Sequence, residues 1–533
     1  MKRLSIIIIY TFVGMVLLFA ETIKIKIDNP THWTTAELKQ YIGDTLQFET
    51  PFYVVNNYSM SSGKLSVSPR RIMIPTNQEF PGSTEYSAMV HENTNGHVYL
   101  SLPAGNYRMG QQIKNLTVKV KNSTDFIACG TQTFYGNERK TTHDNIGDYT
   151  LKVCGFNLAI YLSSNYGSYG PSNEREATAH HEKIIEALKA IDADIYGFAE
   201  IQQGQGALGK IVDALNENAP LDKHYAYVDD GGDVSGTWTK VAYIYRKNKV
   251  EPYQSLFNDD TRVRERKKIQ AFKQLSNGEI FVYSINHFKA KSGRGSGENA
   301  DQGDGQGNYN ADRVKEAQAV IGLLDANKST WNDDDILVMG DLNSYAMEDP
   351  IQEFVNNDFI DLHRVFHADS AYSYTYYNSK TRTSEAGYLD HALASKSMKN
   401  QVTGMTTFHI NSDEHADFAY DGSKNDGSMY RSSDHDPVIV GLDLGNHSAS
   451  DEFPTMQKVH VNTSDFFAGR EALTIKNARK SHLYIYNTSG LIMLHGKIKT
   501  SSYIVDTDRF TPGIYIMSIF GDTTMKQVKF VVR

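Results

Sequence analysis

The chain has 533 residues, 54 of them basic and 63 acidic, for a net charge of −9. That balance excludes a protein that holds nucleic acid through a broad basic surface, though not an enzyme that leaves the phosphate charge to metal ions. The length exceeds one ordinary core, so roughly two to four domains are expected.

In chain order, residues 1–20 read as a secretory signal. Lys2 and Arg3 precede an apolar run over 6–19 that closes on Ala20. As a helix that run would span about 21 Å, short of a bilayer core of roughly 30 Å. Leu18 is bulkier than the usual residue three before a cleavage point. No later run is apolar and long enough to predict a membrane span.

Residues 21–145 alternate polar and apolar residues in short runs broken by turns, as in Ile-Lys-Ile-Lys-Ile over 23–27 and Leu-Thr-Val-Lys-Val-Lys over 116–121. This predicts an all-β, OB-like module. Trp33, Phe52, Tyr53 and Tyr58 could stack on single-stranded nucleic acid, and each could equally be a core aromatic. The cysteines, Cys129 and Cys154, could pair in an oxidising compartment, or stay as unrelated thiols.

Over 146–446 the texture changes. Strand patterns at 151–159, 195–199, 241–245, 280–285 and 336–339 interleave with helical patterns at 174–191 and 311–324. A layered α/β domain is expected, followed by a linker over 447–465 and a small all-β sandwich over 466–533.

The polar residues of the α/β region recur at strand ends. Asn157 sits in the first strand, and Glu200, His287, Asp341 and Asn343 follow apolar runs. Asp390 follows Gly387-Tyr388-Leu389, and Asp434-His435 precede another run. Any one of them has a plain explanation as a turn or helix cap. Several carboxylates, amides and imidazoles gathered at the strand ends of one fold are harder to explain that way. Clustered carboxylates repel, and a bound cation is the simplest remedy.

Gly340-Asp341-Leu342-Asn343, Ser433-Asp434-His435-Asp436-Pro437 and Glu200-Ile201-Gln202 together resemble the endonuclease/exonuclease/phosphatase superfamily, in particular extracellular nucleases similar to deoxyribonuclease I. Asn286-His287-Phe288-Lys289 and Tyr388-Leu389-Asp390-His391 belong to the same pattern. The resemblance implies a four-layer β-sandwich flanked by helices, and hydrolysis of DNA, or else RNA, with Mg²⁺ or Mn²⁺. It assigns Glu200, Asn157 and Asp434 to the metal and Asp341 to the attacking water. Asn343 would fix the phosphate, His435 would stabilise its growing charge, and Asp390 would hold His435. His287 would assist the leaving oxygen or donate to the phosphate. Arg246, Lys289 and Lys291 are candidate phosphate contacts, with solvated surface charge as the plainer reading of each.

The Gly- and acid-rich insert over 292–310 lacks the cysteines that often staple it in related nucleases. Its Asp301 or Asp304 could serve a structural Ca²⁺, although a solvated flexible loop is the simpler expectation. The C-terminal strands resemble a type IX secretion sorting domain, through Ile485-Tyr486-Asn487-Thr488-Ser489-Gly490, Gly513-Ile514-Tyr515-Ile516 and a basic end. The expected product is a monomer exported by its signal to the cell surface or medium, with the type IX machinery as partner. The same catalytic set also serves sphingomyelinases and inositol-phosphate phosphatases, and a non-catalytic adhesin on this fold is a third reading.

Overall fold

The computed structural model describes residues 22–533 except 168, 231–237, 258–265, 368–369, 446–459, 463–471, 477–480, 488–491, 499–501, 507–509, 512, 521–524 and 533. The expected signal segment and most of the expected linker lie outside the described residues. By internal contacts the chain forms two units, Met1–Arg70 with Asn95–Gly136, and Arg71–Thr94 with Asn137–Arg533.

The first unit is built on a nine-stranded sheet. Its alternating strands bury one face, as Thr117–Asn122 shows by placing Val118 and Val120 inward. Two pairings are parallel, Ile23–Ile25 with Thr45–Phe48 and Val98–Ser101 with Asp125–Ala128. Phe52 is a core residue that packs with Phe48 and Phe126, Trp33 is buried edge-on against Phe52, and Tyr58 is exposed. Arg71–Thr94 lies within the span read as the N-terminal module, yet its contacts belong to the second unit, and it carries most of the helix Thr84–Asn95.

The second unit holds two six-stranded sheets. One contains Leu151–Tyr161 beside the parallel strand Ile195–Gln202 and the antiparallel strand Val438–Leu442. The other contains Ile280–His287 beside the parallel strand Ile336–Asp341, which also pairs with Asp390–Ala394. Residues buried on both faces make these strands nearly continuous apolar runs. Val153, Tyr283, Met339 and Val440 belong to the apolar layer between the sheets. The helices Glu174–Ile191 and Gly206–Asn216 cover one outer face, and Asn310–Trp331 and Asp349–Asn356 cover the other. The result is a mixed α/β domain in four layers.

In the C-terminal region, a three-stranded and a four-stranded sheet share one apolar cluster that includes Ile475, Val505, Leu483, Met517 and Phe530. Among the described residues no helix is long and apolar enough to cross a membrane. Cys129 and Cys154 are both free thiols. Cys154 is buried on its strand and Cys129 is partly exposed.

Candidate active site

Strand direction gathers the polar residues. His287 ends its strand and is the register partner of Asp341, which ends the next, and Asp341 is in turn opposite Asp390. Asn157 is opposite Ala199, so Glu200 follows at the same end of the other sheet. The regular ladder breaks there. Register shifts between Asn157 and Tyr161, and Glu200, Ala159 and Ile160 adopt positive φ of 57°, 49° and 60°. Such a bulge re-aims side chains at the sheet margin, and non-glycine residues hold this conformation only where surrounding structure enforces it.

The side chains converge. The Asn157 amide donates to Glu200 at 3.3 Å and to Asp341 at 3.1 Å. Nε2 of His287 lies 3.5 Å from Glu200 and 3.6 Å from Asp341. Nε2 of His435 is 3.9 Å from the same Asp341 oxygen, and its Nδ1 meets Asp390 at 2.7 Å. That Asp390 oxygen also accepts from the Ser373 hydroxyl at 2.7 Å. Tyr374 packs its ring 4.7 Å from the ring of His435. The loop bearing His435 is itself tied down: Ser433 donates to the Asn157 carbonyl at 2.7 Å, and Asn411 donates to the His435 carbonyl at 2.6 Å.

The charges split the site. Burial pushes Asp341 up to about 7, helped by Asp390 and Glu200 and opposed by His435. Burial and Asp434 also raise Glu200. Burial acts against charge on His435, but Asp390, Asp341 and Asp434 outweigh it and hold the ring well above its ordinary value. His287 goes the other way, lowered by burial, then by Arg266, His435 and Lys289, and so is neutral.

Glu200, His287 and Asp341 offer ligand atoms that all lie within 4.8 Å of one another. Hard carboxylate oxygens with one neutral imidazole suit a divalent cation, and burial, with neighbouring carboxylates, raises both Glu200 and Asp341. His287 therefore joins the candidate ligands Glu200, Asp434 and Asn157. Asp434 stands close enough to act on both Glu200 and His435.

Not every expected residue arrives. Arg246 is at the far end of its strand, where its neighbour Tyr245 is opposite Ile195, and it pairs with Asp192 and Asp194. There it balances those carboxylates. Lys291 pairs with buried Glu348 and donates to the Gln306 carbonyl at 2.8 Å. Lys289 stays near the site, acting on His287 while its ammonium lies over Tyr309. Asn343 donates to Asp341 at 3.2 Å and to the Phe288 carbonyl at 3.1 Å, and thus orients Asp341. Arg266, Ser373 and Tyr374 were missed, since no motif marks them and only the fold carries them in.

The insert over 292–310 is exposed along much of 292–303, as expected of a solvated loop, while hydrogen bonds tie down the part nearest the following helix. Arg313, wholly buried, donates to the carbonyls of Gln306 at 2.7 Å and Asn308 at 2.7 Å. An arginine does the work that cysteines would do. Asp304 accepts from the Gln306 backbone and side chain, and Asp301 from the Gly303 amide.

The endonuclease/exonuclease/phosphatase family model matches residues 154–435, and the chain belongs to that family. Its members are phosphoester hydrolases that generally depend on a divalent metal. A second match, over 469–533, is to the secretion system C-terminal sorting domain, the type IX tail that directs export to the cell surface or beyond. Similar solved structures include an endonuclease/exonuclease/phosphatase from Bacteroides vulgatus, at 16% identity and a TM-score of 0.38, covering 55% of this chain and 98% of that one. Others are the Bacteroides thetaiotaomicron mannosyl-6-phosphatase, at 18% identity and 0.35, covering 55% and 99%, and D. rerio TDP2 complexed with single strand DNA product, at 14% and 0.35, covering 54% and 97%. Membership rests on the family match and not on these distant likenesses. No curated protein matches the chain in sequence.

Proposed function

We infer that this is an exported metal-dependent phosphodiesterase that cleaves nucleic acid, foremost an extracellular DNA endonuclease leaving 5′-phosphate ends. The observation that carries the phosphodiesterase reading is one buried carboxylate, Asp341, lying between a charged and a neutral imidazole, 3.9 Å from His435 and 3.6 Å from His287. Attack on a phosphodiester concentrates negative charge on the phosphoryl oxygens, and His435, fixed in its charged form by Asp390, is complementary to that charge. Asp341, raised towards neutrality, suits the task of orienting and deprotonating water. His287, being neutral, serves as a ligand or N–H donor better than as an acid. Glu200, with Asp434 and Asn157, would hold Mg²⁺ or Mn²⁺, which when bound supplies Lewis-acid neutralisation of the phosphate. A diester, with one charge per phosphate, fits a site whose nearby cations are few, with Arg266 and Lys289 beside His287. The preference for DNA follows the resemblance to extracellular nucleases.

The test offers purified enzyme closed circular DNA, single-stranded RNA and sphingomyelin side by side. Nicking and then linearisation of the circle, with 5′-phosphate ends, is expected, because a circle yields only to internal attack. Hydrolysis of sphingomyelin without nicking would overturn the nuclease reading and leave the phosphodiesterase.

A further inference from the structure

One segment outside the family match reaches the catalytic centre. Within Arg71–Thr94, the Ile74 N–H donates to the Ala386 carbonyl at 2.9 Å and the Ala386 N–H donates to the Ile72 carbonyl at 2.9 Å. Met73 is the parallel bridge partner of Ala386, so the segment runs beside the two-stranded hairpin Tyr374–Asn378 and Thr383–Gly387 through this one bridge. Thr76 then donates to Glu348 at 2.7 Å, and its carbonyl accepts from the Met347 N–H at 2.9 Å.

Asn77 comes next and is 3% exposed. Its amide donates to the Ala371 carbonyl at 3.2 Å, and its oxygen accepts the Tyr388 N–H at 3.1 Å. Both contacts fall on short leads into the carboxylate that holds His435. Ala371 is followed closely by Ser373, whose hydroxyl donates to Asp390 and accepts the Leu389 and Asp390 amides at 3.2 and 3.1 Å. Tyr388 precedes Asp390 by a single residue, Leu389. There is no slack between them: a Cβ on Gly387 would come within 2.8 Å of the Tyr345 ring and 3.2 Å of the Asn77 oxygen.

We propose that Asn77 is a positioning residue for hydrolysis, spanning the Ala371 and Tyr388 segments so that Asp390 meets Ser373 and His435 together. It touches neither metal ligand nor substrate and acts through Asp390. A simple staple would lose stability on substitution and nothing else. A positioning residue loses turnover per folded molecule, because small displacements of catalytic groups weigh heavily on rate.

The proposal rests on the reading that the His435–Asp390 pair serves phosphodiester hydrolysis, so its test has two readouts on the full-length chain. Asn77→Ala is compared with Thr76→Val, which removes a buried hydrogen bond of the same segment but leaves Ala371 and Tyr388 tethered. On closed circular DNA, Asn77→Ala should lower kcat about tenfold or more with KM within twofold. Thr76→Val should keep kcat within twofold at a similar loss of Tm. Independently of any substrate, amide hydrogen exchange over residues 371–391 should quicken in Asn77→Ala and not in Thr76→Val. Equal kcat in the two variants, a loss confined to KM, or unchanged exchange over 371–391 would overturn the positioning role. A wild-type chain that leaves DNA intact would instead refute the nuclease reading, and the exchange comparison would still decide the role of Asn77.

Discussion

The two ends of the active site are built on opposite electrostatic terms. At one end His435, Asp390 and Ser373 complete each other: a charged ring, a carboxylate and a hydroxyl, in bonds of 2.7 Å. At the other end Glu200 and Asp341 are raised by burial and by neighbouring carboxylates, and the imidazole beside them, His287, is neutral. The first is self-sufficient in the protein alone. The second gathers buried carboxylates whose charged forms burial disfavours, and is the candidate site for a cation. Removing the cation should therefore damage one end and spare the other.

The largest effect expected follows from that contrast. Chelation with EDTA should abolish hydrolysis and added Mg²⁺ or Mn²⁺ should restore it, with unchanged circular dichroism throughout. Glu200→Gln should lower turnover by about three orders of magnitude or more, since a charged ligand is lost from a site of transition-state stabilisation. Full activity in chelator, with the fold intact, would break the comparison.

At the other end, His435→Ala should cost on the order of 10²–10³ in kcat, the range for removing one donor to a developing oxyanion. Asp390→Asn should cost less, because the donor remains and only its fixed charge and orientation are lost. The sign of its pH effect is definite. On the proposed reading His435 acts protonated, and its raised pKa keeps it so as pH climbs. Without the carboxylate that pKa falls, so the alkaline limb of the rate profile should move to lower pH. An unmoved limb in Asp390→Asn would refute the pairing. The acid limb belongs to Asp341, which must be ionised to take a proton and is held at about 7 without a cation. Rates should accordingly fall as pH drops through that region, and further metal should move this limb to lower pH.

The smallest effect expected is at Arg246. It sits with Asp192 and Asp194 at the opposite end of its strand from the site. Arg246→Gln should lower Tm while leaving kcat and KM within about twofold, since breaking a largely buried ion pair costs stability. A rise in KM that grows with salt would restore it as a phosphate contact.

Two kinds of information separate in this chain. Local sequence determined the strands and helices of the α/β domain, because apolar runs bounded by turn residues leave few alternatives. It also marked the strand-end carboxylates and imidazoles, whose spacing carries the family pattern. The sorting tail was legible too, from strand texture and its position at the end. What sequence could not supply was partnership. Arg246, Lys289 and Lys291 read alike as surface cations, yet one balances two aspartates, one stands by the site and one is committed to Glu348. In the insert over 292–310, nothing local says that Arg313, from the following helix, binds the carbonyls of Gln306 and Asn308. Asn77 carried no signal at all. Secondary structure follows from neighbours along the chain, whereas a side chain's charge state and role depend on groups brought close only by the tertiary fold. In this protein the donors and carboxylates that decide those roles come from segments as far apart as residues 77, 157, 341 and 435.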